Sequence, residues 1–388
     1  ANQYPFLQLD YIFADLTDQT PPTLDSWSVA YQQVPEGILS PTSYDETASL
    51  QEGEIYTSQY AFANISTESF TDSLDVNVAY TNINSGDRNV ESFKISAPLP
   101  GDSSVFEVTQ NTRGQVGDNN VSVAVQAPNL ENYVSNNAIL LSNAYSVTAD
   151  EVNPVLDVTI DGSYILDGDI VSPEPTIRIV FKDENQYLFK DDTTGLNIEL
   201  RRECEECSFE RVNLSSPEVS YTPASEENDF EVNYAPEPLE NGTYTLRVQG
   251  TDKSGNQSGV MPYEVSFEVI NESSITHFYP YPNPFSTSTR FVFTLTGSVI
   301  PDQIKIQIMT VTGRVIREIT QDEIGPLKIG NNITEYAWDG RDEFGDQLAN
   351  GVYLYKVFIR QNGESMDHRV TTADRAFKNG IGKIYLLR

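Results

Sequence analysis

Cys204 and Cys207 are the only cysteines of the chain, framing the run Cys204-Glu-Glu-Cys207. Two thiols at this spacing could ligate zinc, exchange electrons as a dithiol, or close a disulfide. A structural zinc site needs further ligands, and the only histidines, His277 and His368, lie far off in sequence. A thioredoxin-like dithiol needs a βαβ setting, which the surrounding pattern lacks. Strand-like runs at 196–201 and 209–214 flank the pair and place it at a hairpin tip. In an extracytoplasmic setting the expectation is a structural disulfide. Cysteine peptidase chemistry would need a thiolate within reach of a histidine base. Here His277 reads as linker and His368 as part of a polar insertion, so no catalytic residue is expected in this chain.

Carboxylates are the other chemical resource. The chain holds 57 acidic and 24 basic residues, a formal charge of −33. Glycosidase work needs two facing carboxylates at a set separation, and nothing in the spacing selects such a pair. Calcium takes about six to eight oxygen ligands, so clustered aspartates are candidates for it. Asp161, Asp167 and Asp169 form one cluster, and Asp183, Asp191 and Asp192 another. The EF-hand pattern is absent. Solvated acidic loops are the expectation, with calcium as the alternative and no other cofactor implied.

Such a polyanion repels nucleic acid and anionic lipid. No apolar run of about 18 residues exists to span a bilayer. The charge is unevenly placed: residues 273–388 hold 13 basic and 12 acidic residues, leaving 11 and 45 for residues 1–272. An acidic stalk therefore carries a nearly neutral terminal domain, which suits that domain to docking while the stalk stays solvated.

The elements that must position these groups are strands. The 21 Tyr and 18 Phe favour β-structure, and 388 residues exceed one small β-domain. Residues 1–35 contain apolar runs at 4–14 and 24–31, which read as closing strands of a truncated, jelly-roll-like upstream domain. Residues 36–150 form a first full sandwich, with strands at 53–63, 73–81, 103–110 and 120–125. Residues 151–272 form a second, with strands at 155–160 and 176–181. Its Asn241-Gly242 turn feeds a strand carrying Tyr244, Leu246 and Val248 on one face. A polar linker at 271–277 leads to the last module, 273–388, with strands at 290–295, 303–309, 314–319, 334–338, 351–359 and 383–387. The expected fold class is all-β, as tandem immunoglobulin-like β-sandwiches.

The most ordered pattern of the last module runs from 336 to 355. Tyr336 and Trp338 alternate with Glu335 and Ala337, Asp339-Gly340 makes a tight turn, and Gly345 marks a second break. Asn350-Gly351 then opens a strand with Tyr353, Tyr355, Val357 and Ile359 on one face. The run "WDGRDEFGDQLANGVYLYKV", with "YPYPNPF" at 279–285, resembles the immunoglobulin-like domain of the flagellar hook-cap protein FlgD. It is similar, too, to C-terminal domains exported by the type IX secretion system of Bacteroidota. The final "GKIYLLR" resembles the terminal strand of those export domains. One departure is that residues 361–381 separate it from the preceding strand by more than a hairpin loop. That departure sets the domain apart from an ordinary cleavable export signal.

Two further resemblances cover the stalk. "EGEIYTSQYAFAN" and "NYVSNNAILLSNAYSVTAD" (132–150) resemble CARDB-type adhesion-related domains. "VTIDGSYILDGDIVSPEPTIRIVFKDEN" with "LENGTYTLRVQGTDKSG" resembles the C-terminal region of gingipain-like, caspase-fold surface peptidases, including PorU-like sortases. Together these resemblances imply a non-catalytic stalk and export or docking region, secreted or held at the extracellular face of the outer membrane. They imply a PorV-type outer-membrane barrel as partner. The implied interaction residues are Trp338, Asp339, Gly340, Asn350, Gly351, Tyr353, Lys383 and Arg388. The alternative is a cell-surface adhesin or glycan-binding stalk. The cysteine expectation is directly testable: protein from its native compartment, denatured without reductant, should titrate no free thiol, and two titratable thiols would contradict it.

Overall fold

The structure is a computed structural model describing residues 8, 10–12, 14, 16–20, 23–26, 28, 32–45, 48–368 and 380–388. The runs expected at 4–14 and 24–31 fall largely outside the described residues. The chain divides into two compact units, Ala1–Glu151 and Val152–Arg388.

The first unit contains β1 (Gly37–Ser43), β2 (Ala48–Gln51), β3 (Ile55–Asn64), β4 (Leu74–Asn82), β5 (Arg88–Ile95), β6 (Ser103–Asn111), β7 (Gly117–Gln126) and β8 (Ala138–Thr148). One sheet has the order β1-β3-β6 and the other β2-β8-β7-β4-β5. Strict alternation explains how they pack. Leu74, Val76, Val78 and Tyr80 of β4 point inward, as do Tyr56, Tyr60 and Phe62 of β3, and all are buried in one core. Aromatic rings fill the space between the sheets: Tyr56 stacks on Tyr145 at 4.4 Å and Tyr60 on Phe106 at 5.8 Å.

The second unit begins with β9 (Val155–Ile160), β10 (Asp169–Val171), β11 (Ile177–Lys182), β12 (Asn197–Arg202), β13 (Glu210–Arg211), β14 (Val219–Thr222), β15 (Phe230–Tyr234), β16 (Gly242–Gln249) and β17 (Tyr263–Val269). Sheets β14-β15-β11-β9 and β10-β17-β16-β12-β13 enclose Ile177, Ile179, Phe230, Leu246 and Phe267. The expected strand at 209–214 shortens to the two residues of β13. Cys204 and Cys207 are joined in a disulfide, with Cα atoms 5.2 Å apart, between β12 and its hairpin partner β13.

The same unit continues with β18 (Ser274–Tyr281), β19 (Arg290–Leu295), β20 (Gln303–Met309), β21 (Val315–Ile319), α1 (Gln321–Ile324), β22 (Gly330–Ile333), β23 (Gly351–Gln361), β24 (Glu364–Ser365), β25 (Asp367–His368) and β26 (Ile381–Leu386). Sheets β22-β19-β18-β25 and β21-β20-β23-β24 close over Phe291, Phe293, Ile306, Trp338 and Tyr355, and β26 also pairs with β23. The fold is thus all-β, a tandem of immunoglobulin-like sandwiches. Two side-chain bonds tie its last two sandwiches within the unit. Asn331 Nδ2 donates to Asp169 Oδ1 at 2.8 Å, and Lys328 Nζ to Ser163 Oγ at 2.9 Å.

Two sequence expectations need correction. The strand expected at 334–338 does not form, because Thr334 ends the ladder: its hydroxyl accepts from Phe291 N at 3.0 Å and donates to Tyr336 O at 2.9 Å. Trp338 rejoins the sheet only through an isolated bridge to Thr289. His277 is not in a linker. It lies within β18 at a register shift between Thr276 and Tyr279, with φ of 53°, which a bulge accommodates. His368 belongs to β25, paired in register with Ile275.

The tyrosines of the first core generate a pH prediction. Burial pushes the Tyr60 phenol up to about 12 and raises Tyr56, Tyr80 and Tyr145 as well. Unfolded tyrosine titrates near about 10. A phenol whose folded pKa is raised stabilises the fold fully below the unfolded value, and that contribution is lost as pH rises from there through the folded value. The first unit should therefore unfold between about pH 10 and 12 together with a cooperative rise in phenolate absorbance at about 295 nm. Gradual titration of these tyrosines with the first unit still folded would contradict the buried assignment.

Candidate docking face at the C-terminal closure

The last strand, β26, must satisfy two edges. On one side it pairs with β23 from Gly351↔Leu386 to Lys356↔Ile381. Its outer edge would expose unpaired backbone groups, a template for unwanted strand addition. The segment around Asn283 covers that edge. Asn283 Nδ2 donates to Lys383 O at 2.9 Å and Asn283 Oδ1 accepts from Tyr385 N at 2.8 Å. Phe285 N then donates to Tyr385 O, and Phe285 O accepts from Leu387 N, both at 2.9 Å. Pro282 and Pro284 have no N–H to give, so the asparagine side chain performs the pairing that backbone would otherwise supply.

The end of the chain is tied just as closely. Asn350 Oδ1 accepts from Arg388 N at 2.9 Å, and Asn350 Nδ2 donates to Arg388 O at 3.1 Å. The Arg388 guanidinium donates to the carbonyls of Leu348 at 3.1 Å, Asp339 at 2.5 Å and Gly340 at 3.3 Å. Gly340 has φ of 75°, and a Cβ there would lie 2.8 Å from Arg388 Nη2, so both conformation and space require glycine. Gly382 faces the Tyr355 ring, where a Cβ would sit 2.0 Å from Cζ.

The implied interaction residues therefore divide. Asp339, Gly340, Asn350, Gly351 and Arg388 meet around the terminal strand. Trp338 is fully buried: it packs against Phe285 at 5.4 Å and Tyr353 at 6.0 Å, and its Nε1 donates to Arg341 O at 2.8 Å. Tyr353 is also buried, its hydroxyl donating to Ala349 O at 2.7 Å; burial pushes its phenol up, with Arg388 opposing. Neither ring can touch a partner, and both are corrected from docking to core. Removing a buried tryptophan costs about 3–5 kcal/mol, so packing alone accounts for Trp338.

What does face outward is the opposite side of the same sheet. Val352, Leu354, Lys356 and Phe358 of β23 alternate with the buried residues, flanked by Lys305 of β20 and by Lys383 and Tyr385 of β26. Lys305 and Lys356 lie over the Phe358 ring at 5.7 and 4.7 Å. The face joins three lysines to aromatic rings, with Lys305 also paired to Glu318 at 3.0 Å, in a module that is nearly neutral beside the acidic residues 1–272. Sequence reasoning named only Lys383 of this set, although the alternation in 351–359 carries the signal.

The acidic candidates are spent on loop geometry. Asp161 accepts from Thr176 N at 2.9 Å and Ser172 N at 3.4 Å, and burial raises its pKa. Asp167 accepts from Ser266 N, and Asp169 from Leu166 N and Asn331 Nδ2. Asp183 accepts from Asn185 N, Asp192 from Thr194 N, and Asp191 pairs with Lys253. Asp161, Asp183 and Asp192 cap nearby amides, while Asp167, Asp169 and Asp191 reach Ser266, Asn331 and Lys253 far along the chain. Among the described residues neither cluster gathers three of its carboxylates at one point. An open cleft of about 600 Å³ is lined by Phe181, Tyr187, Phe189 and Lys190 among others. Lys190 is committed there: its ammonium donates to Thr194 O at 2.5 Å and Thr251 O at 2.9 Å, and burial lowers its pKa.

Among the described residues no helix is long and apolar enough to cross a membrane. No protein-family model and no curated protein matches the sequence. Among solved structures, dimeric latent PorU from Porphyromonas gingivalis aligns with 91% of this chain at 16% identity and a TM-score of 0.25. This chain spans 34% of that one. A CARDB domain from Pyrococcus furiosus, solved in complex with di-metal ions, aligns in full with 33% of this chain at 14% identity and a TM-score of 0.25. A run of titin domains aligns over 87% of this chain and 96% of its own at 9% identity, again with a TM-score of 0.25.

Proposed function

We propose that this chain is the non-catalytic C-terminal stalk and docking region of a surface protein exported by a type IX system, with a PorU-like parent. The observation that carries this reading is the C-terminal closure. The segments resembling export domains, "YPNPF", "WDGRDEFGD", "NGVY" and "GKIYLLR", are scattered along the last module, yet they meet around β26. Beside them lies the outward face of Lys305, Lys356, Lys383, Phe358 and Tyr385. Its charge sets it apart from an acidic stalk and gives an outer-membrane partner, a PorV-type barrel on this reading, a distinct surface to engage. Both thiols are tied up in the disulfide, which leaves no cysteine nucleophile. The adhesin reading is the rival, and it places binding on the first unit instead.

A reporter fused ahead of the full chain should reach the cell surface in a type IX-competent host. Deleting residues 383–388 should stop it, because β23 then exposes its edge over Gly351–Leu354. Lys356→Glu with Lys383→Glu should reduce surface delivery while leaving thermal unfolding nearly unchanged, since both side chains are solvent-facing. Periplasmic retention of the reporter with the intact chain sinks the export reading. Adhesion of purified chain to cells or glycans, lost on removing the first unit, would favour the rival.

A further inference from the structure

Sandwiches linked in series are expected to move against each other unless contacts at their joint prevent it. The joint between the last two sandwiches carries such contacts. Residues 270–273 connect β17 to β18, and their backbone is taken up at once. Gly297 N donates to Ile270 O at 2.9 Å, Asn271 N to Asn241 Oδ1 at 2.6 Å, and Thr296 Oγ1 to Glu272 O at 2.6 Å. Ser274 N in turn donates to Thr296 Oγ1 at 3.0 Å. Gly297 has φ of 90°, and a Cβ there would lie 2.7 Å from Ser273 Cα, so the last sandwich closes directly on the connector.

A second set of contacts joins β22 of the last sandwich to β10 of the second. Gly330 has φ of 90°, and a Cβ there would lie 2.5 Å from Ile170 O. Beside it, one chain of hydrogen bonds crosses the joint. Asn331 Nδ2 donates to Asp169 Oδ1 at 2.8 Å, its Oδ1 accepts from Thr294 Oγ1 at 2.7 Å, and Thr294 Oγ1 meets His277 Nδ1 at 3.4 Å. Asp169 is a carboxylate and can only accept, which fixes the way the Asn331 amide faces. Thr294 is buried, and its single hydroxyl proton goes to Asn331. Its oxygen can therefore only accept from the ring, which puts a proton on His277 Nδ1. The bulge in β18 re-aims His277 into this chain. We propose that this relay and the Gly330 contact lock the last two sandwiches into one rigid body. The terminal face is then held at a fixed angle to the second sandwich rather than carried on a loose tether.

The test measures the distance between spin labels at Glu237→Cys and Asp322→Cys in the full chain, two exposed positions with one on each sandwich. The natural joint should give a single narrow distance distribution. Asn331→Ala should broaden it while circular dichroism shows both sandwiches folded, which supplies a reading even if Gly330→Val fails to fold. Gly330→Val, where folded, should broaden it further. Gly345→Ala, at a turn where a Cβ meets nothing within 4 Å, should leave the distribution narrow. In long-range proton–nitrogen spectra the neutral His277 ring should carry its proton on Nδ1. A broad distribution with the natural joint, a distribution that Asn331→Ala leaves narrow, or a neutral His277 protonated only on Nε2 would each overturn the lock.

Discussion

A β-sandwich that ends on a strand must do something with that strand's outer edge, and this constraint shapes the last module. Backbone N–H and C=O groups left in a row invite another strand. Here the edge of β26 is closed by a segment about a hundred positions upstream. The asparagine of "YPNPF" presents an amide whose oxygen and nitrogen imitate one peptide unit, bonding Tyr385 N and Lys383 O. Arg388 and Asn350 then fasten the terminus to the turn and to the start of β23. Motifs that look like separate signatures along the chain are thus components of one closure. Because the edge is already satisfied, it offers little template for the addition of another strand.

Charge and burial differ between residues 1–272 and the terminal module. The acidic excess lies in residues 1–272, and several of its carboxylates are committed to capping loop amides, as Asp161, Asp183 and Asp192 are. Such contacts fix loops through charge-assisted hydrogen bonds from backbone N–H groups. The tyrosine-rich core of the first unit follows a different logic. Its phenols carry a polar end into the interior, where Tyr80 donates to Thr109 O and Tyr145 to Gln115 Oε1, while the Tyr60 hydroxyl accepts from Ser58 Oγ.

Much of the architecture was legible from alternation. The strands Arg290–Leu295 and Gln303–Met309 lie where their period-two patterns place them, and the turn at Asp339-Gly340 follows from its residue types. Three things were not legible, each for a physical reason. The strand expected through Trp338 gives way because the Thr334 hydroxyl takes over a ladder bond, a side-chain substitution that no periodicity records. His277 looked like linker because a bulge breaks the alternation within β18. Trp338 and Tyr353 carried the family-like signal, yet burial gives them a packing role, while the alternate residues Val352, Lys356 and Phe358 lie on the other, more exposed side of the sheet. A repeating pattern shows which residues share a face; it does not say which face is inside.

The same limit applies wherever distant segments meet. Gly37 N donates to Glu131 Oε2 and Asn132 N to Glu36 Oε2, so these two segments of the first unit hold each other only once β1 and the loop before β8 are in place. The terminal closure has the same character, since Asn283 and Lys383 meet only when the whole module is assembled. Contacts between residues so far apart pay their loop-closure entropy before they return any stabilisation. In both units, then, these closures depend on the fold being complete rather than on any local stretch of sequence.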